Sequence, residues 1–211
     1  MNVVSNTLSR VAAAAILSVT FATAAQAQVT FVGSQADFSA LGTTTQNTNF
    51  DGYASGSYAF PGSPFTVGEL TFVAGGQNLI GGTNSTYHFA RNLLTDNNVR
   101  GTTIQIDGTH DLFALNAGNF FSTGDANFTV TTNLSTYQFV ENVTNGAAGF
   151  SFIGFQAGAG EYFTSVAISG QNATGMTDIQ LAQAVPEPET YALMLAGLGA
   201  MAFVARRRRR A

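Results

Sequence analysis

The chain has no cysteine, no lysine and no tryptophan, and each absence removes a class of function. Without cysteine, neither a disulfide nor a thiolate metal site can hold the fold, and no thiol nucleophile is available. Without lysine, the basic side chains come down to arginine. Five of these, Arg206, Arg207, Arg208, Arg209 and Arg210, stand in one run, and Arg10 lies near the start. Residues 28–185 keep only Arg91 and Arg100 against ten carboxylates. A segment this acidic has no basic stripe to meet a phosphate backbone, which excludes nucleic acid as a partner. The two histidines, His88 and His110, are too few for a zinc cluster.

Charged residues make up only 9% of the chain, so solubility rests on Asn, Gln, Ser, Thr and Gly. Eighteen phenylalanines, spread through the middle at strand-like spacing, argue for a packed core over a disordered polar tract. The 211 residues hold one ordinary domain, and residues 28–185 are enough to bury about two thirds of their surface.

The two ends read as targeting segments. Arg10, the apolar stretch from Val11 to Phe21, and Ala25-Gln26-Ala27 make a positive region, a short hydrophobic region and a small-residue cleavage site. Residues 1–27 are therefore expected to be a secretory signal peptide, removed by signal peptidase after Ala27 to leave Gln28 first. At the other end, Pro186-Glu187-Pro188 precedes an uncharged run from Thr190 to Ala205 and then the arginine run. Pro188 suits the first turn of a helix, where its missing N–H costs nothing. Glu189 then lies near the positive end of the helix dipole. Sixteen residues span about 24 Å, short of a hydrocarbon core of about 30 Å. Starting the helix at Pro188 and letting the arginines snorkel closes most of the gap. The positive-inside bias keeps Arg206 to Arg210 cytoplasmic, as an anchor, and puts the body outside. Residues 186–211 thus form a sorting tail with a transmembrane helix.

Between the ends, Val29 to Val32 reads as a strand. Ser34 to Leu41 reads as a short helix, with Ser34 as N-cap and Asp37 three positions on. Gly42 to Thr48 is polar and reads as a connector. Short strand candidates follow at Phe65–Val73, Thr102–Asp107, Leu112–Leu115, Asn127–Thr131, Thr136–Val140, Phe150–Phe155, Ser165–Ser169 and Thr177–Leu181. Asn127–Thr131 is expected to pair with Thr136–Val140 across Asn133, and Asp107-Gly108 reads as a hairpin turn. The fold expected for 28–185 is an all-β, jelly-roll-like antiparallel β-sandwich with one short N-terminal helix.

Catalytic signatures are missing: there is no Gly-x-Ser-x-Gly elbow and no lysine-bearing phosphate loop. The densest polar cluster, Asp107-Gly-Thr-His110-Asp111, offers carboxylates and an imidazole for a metal or a proton, or simply a polar loop tip. Glu69, Glu141 and Glu161, the only glutamates of the body, show no spacing that suggests a glycosidase pair. Asp51 and Asp178 match in order the carboxylates that hold a structural calcium between an early and a late strand of lectin-like sandwiches, or else they solubilise sheet edges. Tyr53, Tyr58, Phe60 and Tyr87 lie in Gly/Ser-rich stretches, where they offer stacking surfaces for sugar. Five Asn-x-Ser/Thr sequons, at Asn84, Asn127, Asn133, Asn142 and Asn172, follow from the polar composition.

The tail closely resembles the PEP-CTERM sorting signal of Gram-negative bacteria, through Val185-Pro186-Glu187-Pro188, the apolar helix and the arginine cluster. The resemblance implies recognition by exosortase, a transpeptidase-like membrane enzyme, in species that make exopolysaccharide. The body is similar to a β-sandwich found in many such proteins, through Phe31, Phe38, Asn49-Phe50-Asp51-Gly52, Phe152-Ile153-Gly154-Phe155, Ser165-Val166-Ala167-Ile168 and Asp178-Ile179. The expectation is an exported, non-enzymatic cell-surface or matrix protein without a cofactor, structural or adhesive near exopolysaccharide. The alternatives are a specific, calcium-stabilised carbohydrate-binding module and a polysaccharide-active enzyme.

Overall fold

The structure is a computed structural model. It describes residues 28–52, 64–75, 78–81, 93–96, 101–170, 173–185, 194–199, 201–202 and 206.

Among the described residues, thirteen strands and one helix follow each other from Thr30 to Ala184. The first strand, β1 (Thr30–Val32), leads into α1 (Gln35–Leu41). Ser34 caps this helix as its sequence requires: its hydroxyl accepts the Asp37 backbone N–H at 3.1 Å. One side chain of α1, Phe38, is buried. Then come β2 (Gly42–Thr48), β3 (Phe65–Val67), β4 (Leu70–Ala74), β5 (Asn78–Gly81), β6 (Leu93–Asp96), β7 (Thr102–Ile106) and β8 (Leu112–Asn119). The remainder are β9 (Gly124–Thr132), β10 (Thr136–Val143), β11 (Ser151–Gln156), β12 (Phe163–Gly170) and β13 (Thr174–Ala184).

These strands form two antiparallel sheets. The seven-stranded sheet runs β1-β11-β8-β13-β6-β5, with β2 also on β13, and the six-stranded sheet runs β10-β9-β12-β7-β4-β3. Their inner faces meet in one apolar core that includes Phe50, Phe72, Phe113, Phe128, Phe155 and Phe163. Phe113 packs edge-on against Phe163, and Phe155 lies against both Phe128 and Phe139, so aromatic rings cross between the sheets. Alternation explains the layering. In β7, Thr102, Ile104 and Ile106 point inward while Thr103 and Gln105 point out. β11 is apolar on both faces because α1 covers its outer side, where Phe38 meets Phe152 edge-on.

Three expectations change. The polar run Gly42–Thr48 is a strand, held by backbone pairing to β13 from Gly42↔Ala184 to Thr48↔Ile179. A ladder needs no apolar side chain, so hydrophobic rhythm did not reveal it. Phe65–Val73 is two strands, because Gly68 at φ +58 turns β3 back onto β4. Asp107-Gly108 is no hairpin: β7 and β8 belong to different sheets, and the turn carries the chain from one to the other.

Strand β13 is irregular where it changes neighbours. It pairs with β6 at Met176 and with β2 from Ile179 onward. Against β8 its register slips between Thr177 and Gln180. The slip places Asp178 at φ 47, a left-handed conformation that aspartate tolerates better than most residues.

Residues 194–199 and 201–202 are helical, and Met194, Leu195, Leu198 and Met201 are exposed on them. Among the described residues no helix is long and apolar enough to cross a membrane. The expected signal peptide and half of the apolar run 190–205 lie outside the described residues.

Candidate functional site

One end of the sandwich gathers Glu69, Asp107, His110, Asp111, Tyr137, Glu161 and Tyr162. Here the β3–β4 turn, the β7–β8 crossing, the β9–β10 turn and the β11–β12 connection come together. Asp107 N–H donates to the Glu69 carbonyl at 2.9 Å, and Phe163 N–H to the His110 carbonyl at 2.9 Å. Asn133 and Tyr162 exchange a backbone bond of 3.0 Å and a side-chain bond of 2.9 Å, so the Asn133 sequon is tied into this end.

His110 is the centre of one cluster. Its ring is buried, with Nε2 2.6 Å from Glu69 Oε2 and Nδ1 3.5 Å from Thr45 Oγ1. Thr45 is the residue skipped where β2 bulges against Leu181 and Ala182, and its hydroxyl also donates to the Leu181 carbonyl at 3.1 Å. A carboxylate and a hydroxyl therefore face the two ring nitrogens, and the imidazole clamps three segments together. Asp111 turns elsewhere: its Oδ1 accepts the Ala184 N–H at 2.6 Å. Asp107 and His110 both meet Glu69, one through its backbone N–H and the other through its ring, whereas Asp111 reaches Ala184.

A second cluster surrounds Glu161, of which only 6% is exposed. Tyr137 donates its hydroxyl to Glu161 Oε1 at 3.0 Å, while Oε2 has no hydrogen-bond partner among the described residues. Burial, and then the bond to this carboxylate, hold the Tyr137 phenol above its ordinary range. Glu141 stands apart on β10, where burial also raises its carboxyl above the usual value. The three glutamates thus occupy three settings, and no pair of them shares a hydrogen bond.

Asp51 and Asp178 come from segments that the fold does bring together. Thr48 pairs with Ile179, so the turn bearing Asp51 leaves β2 beside the Asp178 bulge. Asp178 is nearly buried and accepts the Asn116 amide at 2.9 Å, and Asp51 N–H donates to Asn49 Oδ1 at 3.3 Å. Among the described residues, no group of three or more His, Asp or Glu side chains is arranged to hold a metal. Tyr53, Tyr58, Phe60 and Tyr87 lie outside the described residues, as do Asn84 and Asn172.

The outer face of the six-stranded sheet is the feature that sequence reading missed as a whole. The registers align one outward row across all six strands: Thr66, Thr71, Gln105, Ser165, Thr131 and Thr136. Thr66 and Thr71 share a hydrogen bond of 2.9 Å, and Thr136 donates to Thr131 at 3.3 Å. A second row holds Val73, Thr103, Ala167, Thr129 and Gln138. Beyond it stand Ser169, Asn127 and Val140, and then Asn142 bonded to Asp125 at 3.2 Å. Asp125 is the one charge in these rows. At about 4.8 Å per strand, the first row is about 24 Å long. Alternating threonine in β9 was legible; the alignment of six strands was not, because register is set by pairing across the sheet.

No curated protein and no solved structure matches the chain. A family model does match its end. Ala25 and Ala27 at the leader, and Pro186, Glu187, Pro188 and Arg207 to Arg210 at the tail, are outside the described residues, whereas Arg206 is helical and exposed. Residues 184–210 match the PEP-CTERM protein-sorting motif, so the chain carries a signal that implies export, a membrane-anchored sorting step and processing by exosortase.

Proposed function

We propose that the exported body is a non-enzymatic surface or matrix protein that lies against neutral exopolysaccharide through the outer face of its six-stranded sheet. The observation that carries this is the row from Thr66 to Thr136. Six hydroxyl or amide side chains stand in register, each able to donate and accept, with no charge to attract an ion or repel a neutral sugar polymer. Each contact is weak alone. Repetition along a polymer turns many weak contacts into retention. The winding supports the same reading: β8 lies on β13 in one sheet and β9 on β12 in the other, as in the jelly rolls of many lectins.

The decisive experiment is co-sedimentation of the exported protein with the host's matrix polysaccharide. Gln105→Arg with Thr131→Arg plants two charges in the central row; the parent should sediment with the matrix and the double variant should not. Equal sedimentation of both, or of neither, overturns the reading.

Sorting has its own test. Removal of residues 1–27, insertion of the tail helix and recognition of Pro186-Glu187-Pro188 make three separable steps. Replacing those three residues by alanine keeps the apolar length and the arginines, so insertion survives and trimming is lost. Deleting Arg206 to Arg210 weakens orientation instead. Membrane fractionation with surface labelling distinguishes them, and a triple-alanine chain trimmed like the parent reduces the tail to an anchor.

A further inference from the structure

We propose that the Glu161 carboxylate is the seat of a new α-ammonium group, that of Gln28, created when the leader is removed. The proposal rests on the reading that cleavage follows Ala27.

Three observations converge. First, a carboxylate buried to this degree needs a partner for each oxygen, and Glu161 Oε2 has none among the described residues. Second, the described segments that build this end carry no lysine and no arginine. His110, the nearest titratable cation on the β7–β8 crossing, already faces Glu69.

Third, the fold delivers the start of the mature chain to this carboxylate. Thr30 pairs with Gln156, so the antiparallel register carries Val29 and Gln28 past Ala157 and Gly158. Glu161 closes the turn there, its N–H donating to the Gly158 carbonyl at 2.9 Å. The Val29 backbone hydrogen-bonds the Tyr137 hydroxyl, which itself donates to Glu161. Val29 is buried and Gln28 exposed, so the amine of Gln28 would stand at the solvent rim of the end that holds Glu161. Before cleavage that nitrogen is a neutral amide. Afterwards it is a cation with three donors. The unprocessed chain would leave this carboxylate half-satisfied, and processing would complete the pair. The other titratable groups on the elements meeting here are Tyr137 and Glu141 on β10, Tyr162 beside Glu161, Asp107, His110 and Asp111 on the β7–β8 crossing, and Glu69 on the β3–β4 turn.

The test uses the protein exported from the full chain. Mass spectrometry first reads the N-terminus; a start other than Gln28, or a Gln28 cyclised to a lactam, overturns the proposal at the cleavage step. With a free Gln28, the acylation rate of the α-amine is measured in the folded protein and in urea. An ion pair with Glu161 should slow acylation near neutral pH about tenfold relative to the unfolded chain. Glu161→Gln should restore the fast rate while Glu69→Gln does not. Equal rates in folded and unfolded parent overturn the ion pair, even if Glu161→Gln fails to fold.

Discussion

The two outer faces of the sandwich are opposites. On the seven-stranded sheet, the face over β11, β8 and β13 is apolar, with Val32, Leu112, Ala114 and Ala182 buried beneath Phe38 of α1 and flanked by Leu41 and Phe152. On the six-stranded sheet the corresponding face carries no helix among the described residues and shows mainly threonine, serine, glutamine and asparagine. One face has its partner built into the chain, delivered by a seven-residue helix whose cap is encoded at Ser34. The other is polar with a single charge, Asp125. The difference shows that a hydroxyl-covered sheet can remain open where an apolar one must be closed.

The comparison breaks most readily on the covered face. Phe38→Ala removes the ring that seals it and should cost about 3 kcal/mol or more in urea denaturation of the exported protein. Ser34→Ala leaves the ring and removes only the cap, so a loss of about 1 kcal/mol is expected by the same measurement. On the open face, Gln105→Arg with Thr131→Arg should change stability by only about 0.5 kcal/mol, in keeping with its exposure, while abolishing sedimentation with the matrix. A loss as large as that of Phe38→Ala would mean that this face, too, is covered.

The smallest effect is expected at the β10 edge, between the faces. Burial raises the Glu141 carboxyl above its ordinary 4.5, so the folded state holds a proton that the unfolded state has already released. The ionised form therefore costs the folded state stability, a cost that sets in as pH rises above 4.5 and is complete above the raised value. Glu141→Gln should be slightly more stable than the parent at neutral pH and indistinguishable at low pH, as read by thermal melts across pH.

Local chemistry was legible wherever it was sufficient by itself. Ser34 with Asp37 announced α1, and alternation with the turn at Asn133 announced the β9–β10 hairpin, which pairs Thr136 with Thr131 as expected. What depends on distant partners was not. The polar β2 becomes a strand only because β13 offers it a ladder, and Gly68 divides an apparently continuous apolar run. Asp107-Gly108 looks the same in sequence whether the next strand returns to its own sheet or enters the other. At the candidate sites, the order of Asp51 and Asp178 hinted at their neighbourhood. The pairing of Glu69 with His110, 41 positions apart, and of Tyr137 with Glu161 gave no sequence signal, since neither lies at a recurrent spacing.

Strand β13 is held by β8 on one side and by β6 and β2 end to end on the other, and it comes after all of them in the chain. A chain threaded outward from its N-terminus would therefore present β2, β6 and β8 with a vacancy in their midst until residues 174–184 emerged. The sorting match begins at residue 184, where that strand ends, so the strand that completes the sheet and the sorting signal are contiguous in the chain. A chain stalled before its last strand would remain open at the centre of its sheet, with the backbone of β8 left unpaired along the edge that β13 occupies.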